Sequence, residues 1–282
     1  MKTRFAPSPT GYLHLGHAFA ALTAYDTARA AGAAFVLRIE DIDQTRCRPE
    51  YEAAIFEDLA WLGLEWEEPV RRQSQHFDDY AAALARLERC GVCYPCFCTR
   101  REIAAEIAAA ADAPHGPEGL HYPGTCRALD PRDRALRMQA EAYAVRLDLA
   151  KAQQQLGRAI HFDEWGRGPG GETGSQRAEP QLLGDLVLAR KELPASYHLA
   201  AVVDDGLQNI EMVTRGEDLF HATHIQRLLQ ELLGLPAPVY AHHRLILDKT
   251  GKKFSKRDRA MTLQGLRAAG TTPADIRKRL GL

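Results

Sequence analysis

The chain has 282 residues, which is enough for one large domain or two smaller ones. Its hydrophobic fraction of 45% and charged fraction of 26% are ordinary for a globular protein, and its formal net charge of −1 excludes a global basic field that would attract nucleic acid. The sequence has neither an apolar run long enough to cross a bilayer nor the apolar core of a signal peptide, so we expect a cytoplasmic protein with no membrane partner.

The first predicted element is a short strand over about Thr3 to Ala6, followed by a loop rich in Pro and Gly and a long helix that begins near Gly16. Two histidines, His14 and His17, lie three residues apart at the mouth of this helix. Backbone N–H groups at a helix N-terminus attract anions, and a glycine there permits a ligand to approach the backbone closely. This stretch therefore predicts a site for phosphate groups.

A buried strand is predicted next, from Ala34 to Ile39. Strand, helix and strand at this spacing indicate a right-handed βαβ unit, with a ligand at the carboxyl ends of its strands. The acidic cluster that begins at Glu40 falls at that edge. Two packing helices are predicted to follow, from Pro49 to about Leu62 and from a Ser74 cap to Cys90.

The cysteines of the middle segment are a candidate metal site. Cys96 and Cys98 form a Cys-x-Cys pair, and Cys126 follows downstream near a tyrosine and a histidine. Zinc takes four N, S or O ligands in a tetrahedron, and cysteines in a reducing compartment favour metal sites or free thiols over disulfides. Cys93 and His121 are candidate fourth ligands, and free thiols without metal remain the alternative.

Residues Gly166 to Gly171 have the spacing G-x-G-x-x-G of a dinucleotide-binding turn. We reject that interpretation because Pro169 lies inside the segment and no helical pattern follows it. The sequence instead predicts a flexible loop over an open edge of the site.

The second half of the chain is predicted to alternate between strands and helices and to end in one or two short helices. The predicted elements are a strand from Gly184 to Arg190, a helix or strand from Tyr197 to Asp205, a strand from Ile210 to Thr214, a helix from Thr223 to Leu233, a strand from Tyr240 to Leu247 and a basic loop from Asp248 to Arg257.

Two segments together resemble the signatures of class I aminoacyl-tRNA synthetases. R-F-A-P-S-P-T-G-Y-L-H-L-G-H at positions 4–17 resembles the HIGH signature of the glutamyl and glutaminyl branch, and K-F-S-K-R at 253–257 resembles the KMSKS motif. L-R-I-E-D-I-D at 37–43 and R-G-E-D-L at 215–219 are also similar to that branch. The resemblance implies an α/β fold with a doubly wound parallel sheet, the Rossmann-like catalytic domain of this class.

The resemblance also implies roles for individual residues. Glu40 would hold the α-amino group of glutamate, and Arg4 and Arg215 would face its carboxylates; the alternative for Arg215 is a surface ion pair with Glu217 or Asp218. The implied glutamate site comprises Arg4, Phe5, Ala6, Pro7, Ser8, Glu40, Tyr197 and Arg215. The implied ATP site, with Mg²⁺ accompanying ATP, comprises His14, Gly16, His17, Lys253, Ser255 and Lys256, of which His14, His17 and Lys256 are catalytic.

The cysteine segment resembles the zinc module of an acceptor-end-binding insertion in some glutamyl-type enzymes. This resemblance implies one structural Zn²⁺ bound by Cys96, Cys98, Tyr122 and Cys126. It divides the chain into the first half of the catalytic domain at 1–92, an inserted zinc-bearing subdomain at 93–180, and the second half of the catalytic domain at 181–282 with the KMSKS-like loop and the last helices.

Full glutamyl and glutaminyl enzymes continue into an anticodon-binding region after the second motif, and we expect none here. The resemblance is therefore closest to the short glutamyl-queuosine tRNA(Asp) synthetase family. It implies a monomer that activates L-glutamate with ATP, without tRNA, and transfers it to queuosine at the wobble position of tRNA(Asp). The alternatives are a truncated glutamyl-tRNA synthetase that charges the 3′ end of tRNA(Glu), a nucleotidyltransferase of the same superfamily, and a non-catalytic zinc-bearing tRNA-binding module. The residues leave open whether glutamate is preferred to glutamine.

Overall fold

The fold is taken from a computed structural model that describes residues 1–109, 115–116, 119–247 and 262–282. The strands of the described residues are β1 (Thr3–Phe5), β2 (Phe35–Ile39), β3 (Glu67–Arg72), β4 (Cys93–Cys96), β5 (His115–Gly116), β6 (Gly119–Leu120), β7 (Ala144–Leu147), β8 (His161–Glu164), β9 (Gly174–Arg177), β10 (Val187–Ala189), β11 (Met212–Gly216) and β12 (Val239–His243). The α-helices are α1 (Leu15–Ala30), α2 (Pro49–Trp61), α3 (Phe77–Arg89), α4 (Arg100–Ala109), α5 (Pro131–Ala140), α6 (Leu149–Leu156), α7 (Tyr197–Leu207), α8 (Phe220–Leu233), α9 (Leu263–Ala268) and α10 (Pro273–Leu280). None of the helices in these ranges is both long enough and apolar enough to span a bilayer.

A seven-stranded sheet in the order β3-β2-β1-β11-β12-β8-β9 forms the centre of the molecule. Every neighbouring pair is parallel except β8 and β9, which are antiparallel at one edge. Arg4 pairs with Val36, and Arg215 pairs with His242, so the carboxyl ends of β1, β2, β11 and β12 meet at one edge of the sheet. This is the edge at which a parallel α/β sheet binds its ligands.

Helices cover both faces of this sheet because the strand residues alternate between two hydrophobic cores. In β2, Phe35 and Leu37 pack with residues of α1, α2, α9 and α10, whereas Val36 between them packs with α3, α7 and α8. Successive side chains of a strand point to opposite faces, so one strand contributes to both cores. The fold is therefore the α/β class that the sequence predicts, with a mainly parallel sheet.

A second, antiparallel sheet in the order β10-β7-β4 accounts for much of the middle segment. The predicted insertion at 93–180 includes β8 and β9, yet these strands extend the large sheet, where Glu164 pairs with Tyr240. Conversely, β10 lies beyond residue 180 but pairs with β7. The predicted boundary at residue 180 therefore does not separate the strands of one sheet from those of the other.

Two local predictions have different outcomes. Ser74 does not cap the third helix: it lies in a 3₁₀ helix, and its N–H and Oγ bind the Asp41 carboxylate at 2.8 and 2.5 Å, while α3 begins only at Phe77.

The segment from Gly166 to Gly171 is followed by strand β9, as the rejection of a dinucleotide-binding turn requires. A Cβ added at Gly166 would lie 2.2 Å from the carbonyl oxygen of His242, so this glycine permits the segment to pack against β12.

Candidate active site

A cavity of about 370 Å³ lies at the carboxyl ends of β1, β2 and β11. Seven of the eight residues predicted for glutamate line it; Pro7 does not, but its carbonyl accepts the Glu40 backbone N–H at 3.0 Å. The short strand β1 supplies one side of this site, and the first turn of α7 supplies the other. The lining residues are Arg4, Phe5, Ala6, Ser8, Ala20, Glu40, Tyr197, Thr214, Arg215, Gly216 and Leu219.

The two arginines of the cavity are buried, with exposed fractions of 6% for Arg4 and 5% for Arg215. Arg4 donates to the Asp205 carboxylate at 3.3 Å and to the Thr214 carbonyl at 3.1 Å. Arg4 therefore has a direct carboxylate partner within the protein.

Arg215 has a different environment, because its three described hydrogen bonds go to neutral acceptors. Nε donates to His242 Nε2 at 3.1 Å, one terminal nitrogen donates to Gln226 Oε1 at 2.8 Å, and the other donates to Thr223 Oγ1 at 2.6 Å. The alternative of a surface ion pair is wrong, since the side chain is buried. Burial, together with the charge of Arg215, also lowers the pKa of the nearby His198 to about 4, which keeps that imidazole neutral.

Beneath the cavity, a buried charge network holds Glu40 in place. Arg38 is fully buried and donates to Glu40 at 3.2 Å and to Asp205 at 2.8 Å. Asp204 accepts from Arg71 at 2.7 Å and from Gln73 at 2.8 Å, and it also accepts from the hydroxyl of Tyr80 at 3.0 Å. Arg38, Asp204 and Asp205 are not among the site residues predicted from the sequence. The sequence features that could have identified them are a charged residue inside an apolar strand, and two adjacent aspartates in an apolar helix.

Burial and neighbouring positive charges shift the pKa values of the carboxyl groups in this network in opposite directions. Burial raises the pKa of Glu40, and the attraction of Arg38 and Arg4 only partly offsets it. For Asp205, burial would raise the pKa, but the combined charges of Arg4 and Arg38 outweigh it and lower the pKa. Asp205 is therefore the fixed anion of the network, and Glu40 is the carboxylate that responds to a bound cation.

The histidine pair lies where the loop after β1 enters α1. His14 Nδ1 accepts the Gly16 N–H at 3.1 Å, and His17 Nδ1 accepts the His14 N–H at 3.2 Å. Because each Nδ1 is an acceptor, the neutral rings carry their proton on Nε2. A Cβ at Gly16 would lie 3.1 Å from Cε1 of His14, so the glycine makes room for this ring. The local folding thus fixes two Nε2–H donors at the start of a helix.

Lys253, Ser255 and Lys256 of the predicted ATP site lie outside the described residues. The chain re-enters the described part at Thr262, which forms an antiparallel bridge with His14, and the Leu263 N–H donates to the Leu13 carbonyl at 2.8 Å. Thr262 also caps α9, with its hydroxyl accepting the Gly265 N–H at 3.1 Å. The first described residues after the KMSKS-like segment, Thr262 and Leu263, therefore contact the loop that carries His14.

A smaller cavity of about 110 Å³ adjoins the first one, and the two share Ser8, Glu40 and Tyr197. Its outer side carries Arg46 and Arg190, and Asp43 accepts from Arg46 at 2.6 Å. A group bound in the larger cavity would therefore have a second, partly basic compartment next to it.

In the middle segment, Cys96, Cys98 and Cys126 have their sulfur atoms within 4.8 Å of one another. The Tyr122 hydroxyl lies 3.4 Å from Cys98 Sγ, and Cys98 Sγ lies 3.4 Å from Cys126 Sγ. Burial would raise the pKa of Cys126, but hydrogen bonds from Tyr122 and from the Phe97 backbone outweigh it and lower the pKa. Three converging thiols with a phenol beside them suit a tetrahedral soft-metal site.

The two rival fourth ligands do not lie in this cluster. Cys93 packs against the large hydrophobic core, and burial raises the pKa of its thiol to about 12. His121 Nε2 lies 2.8 Å from the carbonyl oxygen of Leu182. Of the three candidates, only Tyr122 packs with the cysteines.

Known proteins are similar to this chain over its whole length. The family of "tRNA synthetases class I (E and Q), catalytic domain" matches residues 1–282. A protein of Rhodobacter capsulatus named glutamyl-Q tRNA(Asp) synthetase is 49% identical over 100% of both chains. A protein of the same name from Nocardia farcinica is 43% identical over 97% of this chain and 81% of its own.

Among solved structures, a glutamate tRNA ligase from Elizabethkingia meningosepticum in complex with its amino acid superposes with a TM-score of 0.76 and 32% sequence identity. The match covers 92% of this chain and 52% of that chain. The chain therefore spans about half the length of the glutamate tRNA ligase of known structure that it matches.

Proposed function

The chain belongs to the class I tRNA synthetases of the E and Q catalytic-domain family, and from this premise we propose that it activates L-glutamate with ATP, without tRNA, and transfers the glutamate to queuosine at the wobble position of tRNA(Asp). The name and the full-length coverage of the Rhodobacter capsulatus relative support the choice of acceptor. We also propose that the protein acts as a monomer.

The observation that carries the proposal is the charge pattern of the larger cavity. Glu40 supplies a carboxylate for the α-ammonium group of an amino acid, and Arg4 and Arg215 supply two buried guanidinium groups for its two carboxylates. One anion and two cations match the charges of glutamate, and Ser8 and Tyr197 add hydroxyl groups for the same ligand.

The proposed chemistry needs no tuned general base, because the glutamate carboxylate is already an anion. It attacks the α-phosphorus of ATP, and the bond from this phosphorus to the bridging oxygen of the leaving pyrophosphate breaks. Negative charge develops on phosphate oxygens, so positioned donors lower the barrier. His14 and His17 would supply Nε2–H donors and Gly16 a close backbone approach, while Lys256, with Lys253 and Ser255, would stabilise the pyrophosphate. Mg²⁺ would accompany ATP.

We propose that Cys96, Cys98, Cys126 and Tyr122 bind one structural Zn²⁺. Four protein ligands make a closed site, which stabilises a fold rather than performing catalysis. The geometry of the three thiols and the hydroxyl supports this assignment. The metal would join β4 and the residues directly after it to the 3₁₀ helix Thr125–Ala128, in which Cys126 is the buried residue.

A conventional glutamate tRNA ligase is the second candidate, supported by the similarity to the Elizabethkingia meningosepticum enzyme. In that case the glutamyl group would go to the 3′-terminal adenosine of tRNA(Glu). Both candidates activate glutamate with ATP, and they differ in the acceptor of the glutamyl group.

A transfer assay separates them. The enzyme is incubated with ATP and labelled glutamate and with three RNAs in parallel: tRNA(Asp) with queuosine, tRNA(Asp) with guanosine at the same position, and tRNA(Glu). We expect label only in the first RNA, and nuclease digestion should place it in the anticodon fragment. Label at the 3′ end of tRNA(Glu) would show that the conventional reaction is the right one.

A further inference from the structure

Glu164 lies outside the lining of the larger cavity but is connected to it through one imidazole. Its Oε2 atom lies 2.6 Å from His242 Nδ1, and His242 Nε2 accepts the Nε–H of Arg215 at 3.1 Å. The side chains of Glu164 and His242 are both fully buried. This relay runs across three adjacent strands, from β8 through β12 to β11.

The direction of every hydrogen bond in the relay is fixed by chemistry. An arginine N–H can only donate, so His242 Nε2 must accept, and the proton of the neutral ring must be on Nδ1. Nδ1–H then donates to Glu164 Oε2. The other carboxylate oxygen, Oε1, accepts two backbone N–H groups, those of His242 and Gly166, each at 2.8 Å. Glu164 therefore selects the tautomer of His242 that can hold Arg215.

Holding Arg215 by neutral groups has an electrostatic consequence. His242, Thr223 and Gln226 occupy one N–H on each of its three nitrogens, so each terminal nitrogen keeps a second N–H. The nearest carboxylate in this relay is one imidazole away. Among the residues that the structure describes, no carboxylate forms a hydrogen bond with the Arg215 guanidinium, whereas Arg4 is bound to Asp205.

We propose that Glu164 and His242 are positioning residues that make this site prefer a carboxylate side chain to the isosteric amide, an inference that rests on the proposed glutamate activation. A fixed guanidinium offers two N–H donors to a carboxylate, whereas an amide presents only one acceptor and one donor group to the same pair. If the guanidinium rotates, its contact with the ligand weakens and the preference falls.

The substitution Glu164→Gln tests the tautomer argument at nearly unchanged volume. The two backbone N–H groups require the amide oxygen, so the amide NH₂ must face His242 Nδ1. Nδ1 must then accept a hydrogen bond from this amide, so the ring proton moves to Nε2. The Nε2–H group then faces the Nε–H of Arg215, and two donors cannot form a hydrogen bond with each other. We expect the KM for glutamate in ATP–pyrophosphate exchange to rise on the order of tenfold, with kcat changed by less than about threefold. The preference for glutamate over glutamine should fall by a similar factor.

The matched control is Glu172→Gln, because Glu172 also accepts a loop N–H, that of Gly170 at 2.8 Å, but has no hydrogen bond to Arg215 or His242. It should leave both kinetic constants within about twofold of wild type. In an Arg215→Lys background, Glu164→Gln should raise KM by less than about twofold relative to Arg215→Lys alone, because Glu164 affects glutamate binding only through Arg215.

Several outcomes would overturn the proposal: an unchanged KM in Glu164→Gln, a loss confined to kcat, or a full additional effect in the Arg215→Lys background. If Glu164→Gln does not fold, His242→Asn replaces it, since the shorter amide can still donate to Glu164 but cannot reach Arg215. Its KM should rise in the same way, and an unchanged KM would refute the inference. Failure of the wild type to show any glutamate-dependent exchange would instead refute the proposed function.

Discussion

His14 and His17 show how backbone folding prepares a side chain before any ligand binds. Each ring accepts a backbone N–H through Nδ1, and the two ring centroids are 3.8 Å apart. The same H-x-x-H spacing occurs at His221 and His224, but these are the second and fifth residues of α8, whose N-cap is Leu219, whereas His14 is itself the N-cap of α1. The position of the pair relative to the helix, and not the spacing alone, therefore determines whether the rings can face an anion.

We predict that His14→Ala lowers glutamate-dependent ATP–pyrophosphate exchange by about 10²-fold to 10³-fold, because it removes a positioned donor to the phosphates. The same change also removes the N-cap of α1, so the free energy of unfolding should fall by about 1 kcal/mol. His221→Ala is the matched control and should keep exchange within about twofold of wild type. Equal losses in the two variants would contradict the assigned role.

Glu40 gives a prediction for pH. The ionised form is the one that binds an ammonium group, and its pKa is raised by burial, so the KM for glutamate should increase as the pH falls through this raised pKa. Glu40→Gln should raise KM at pH 8 by about tenfold to a hundredfold, the usual loss for a hydrogen bond to a charged group. Its KM should then no longer show this increase at acid pH. An identical pH profile in both proteins would mean that the titration belongs to another group.

The residues of the cavity could be predicted because most of them belong to short continuous motifs, such as R-F-A-P-S-P-T-G. The residues that support them could not, since they meet only in the folded chain. Arg38 and Asp205 are 167 positions apart, and His242 and Glu164 are 78 apart. The local sequence of Arg38 and Asp205 shows only charged residues within apolar segments, and in neither pair does it identify the partner.

Helix α9 packs into the core on the α1 face of the sheet. Its N-cap Thr262 bridges His14, and its Arg267 lies 3.6 Å from Asp58 on α2 and 3.0 Å from Glu57. Asp58 is fully buried, and neither of its carboxylate oxygens has a hydrogen-bond partner among the described residues. Burial raises the pKa of Asp58 to about 6.

Asp58→Asn should therefore stabilise the protein in a pH-dependent way. The folded state binds the proton of Asp58 more tightly than the unfolded state, so stability falls as the pH rises from about 4 to about 6 and stays reduced above that. At pH 8 the gain in the free energy of unfolding should be at most about 3 kcal/mol, and it should disappear near pH 4. Glu57→Gln, which alters an exposed partner of the same arginine, should change stability by less than about 0.5 kcal/mol. Denaturant unfolding at pH 4, 6 and 8 measures both, and a gain that does not depend on pH would contradict the account.

The zinc-binding hypothesis concerns the small element made by β4 and the segment from Tyr122 to Cys126. We expect about one zinc per chain by mass spectrometry in protein produced with zinc, and loss of that zinc in Cys98→Ser after dialysis against a chelator. Cys93→Ser is the matched control: its sulfur packs against the large core and should not affect zinc content. Retention of zinc by Cys98→Ser, or its loss from Cys93→Ser, would require a different ligand set.

Elements with strong periodicity were easier to predict than those formed by pairing over a distance. The helix predicted from Pro49 to Leu62 is observed as Pro49–Trp61. In contrast, β8 and β9 are four-residue strands, and they belong to the large sheet because Tyr240 pairs with Glu164. The spacing of the sequence does not reveal such a partner, so the insertion predicted at 93–180 includes both strands.

The whole molecule combines a helix start capped by a histidine pair, a cavity with one carboxylate and two guanidinium groups, and a segment with three converging thiols. The parallel sheet brings the first two together because β1, β2 and β11 end at the same edge. The relative from Rhodobacter capsulatus matches this chain over the full length of both sequences, whereas the glutamate tRNA ligase of known structure is about twice as long. Activation therefore has to be tested with this chain alone.

The most direct test is ATP–pyrophosphate exchange with the purified chain in the absence of any tRNA, with glutamate in one reaction and glutamine in the other. The fixed charges of Glu40, Arg4 and Arg215 predict exchange with glutamate and little or none with glutamine. Exchange that begins only when tRNA(Glu) is added would contradict the proposal that this chain activates glutamate without tRNA, and exchange that is equally fast with glutamine would contradict the assigned preference for glutamate.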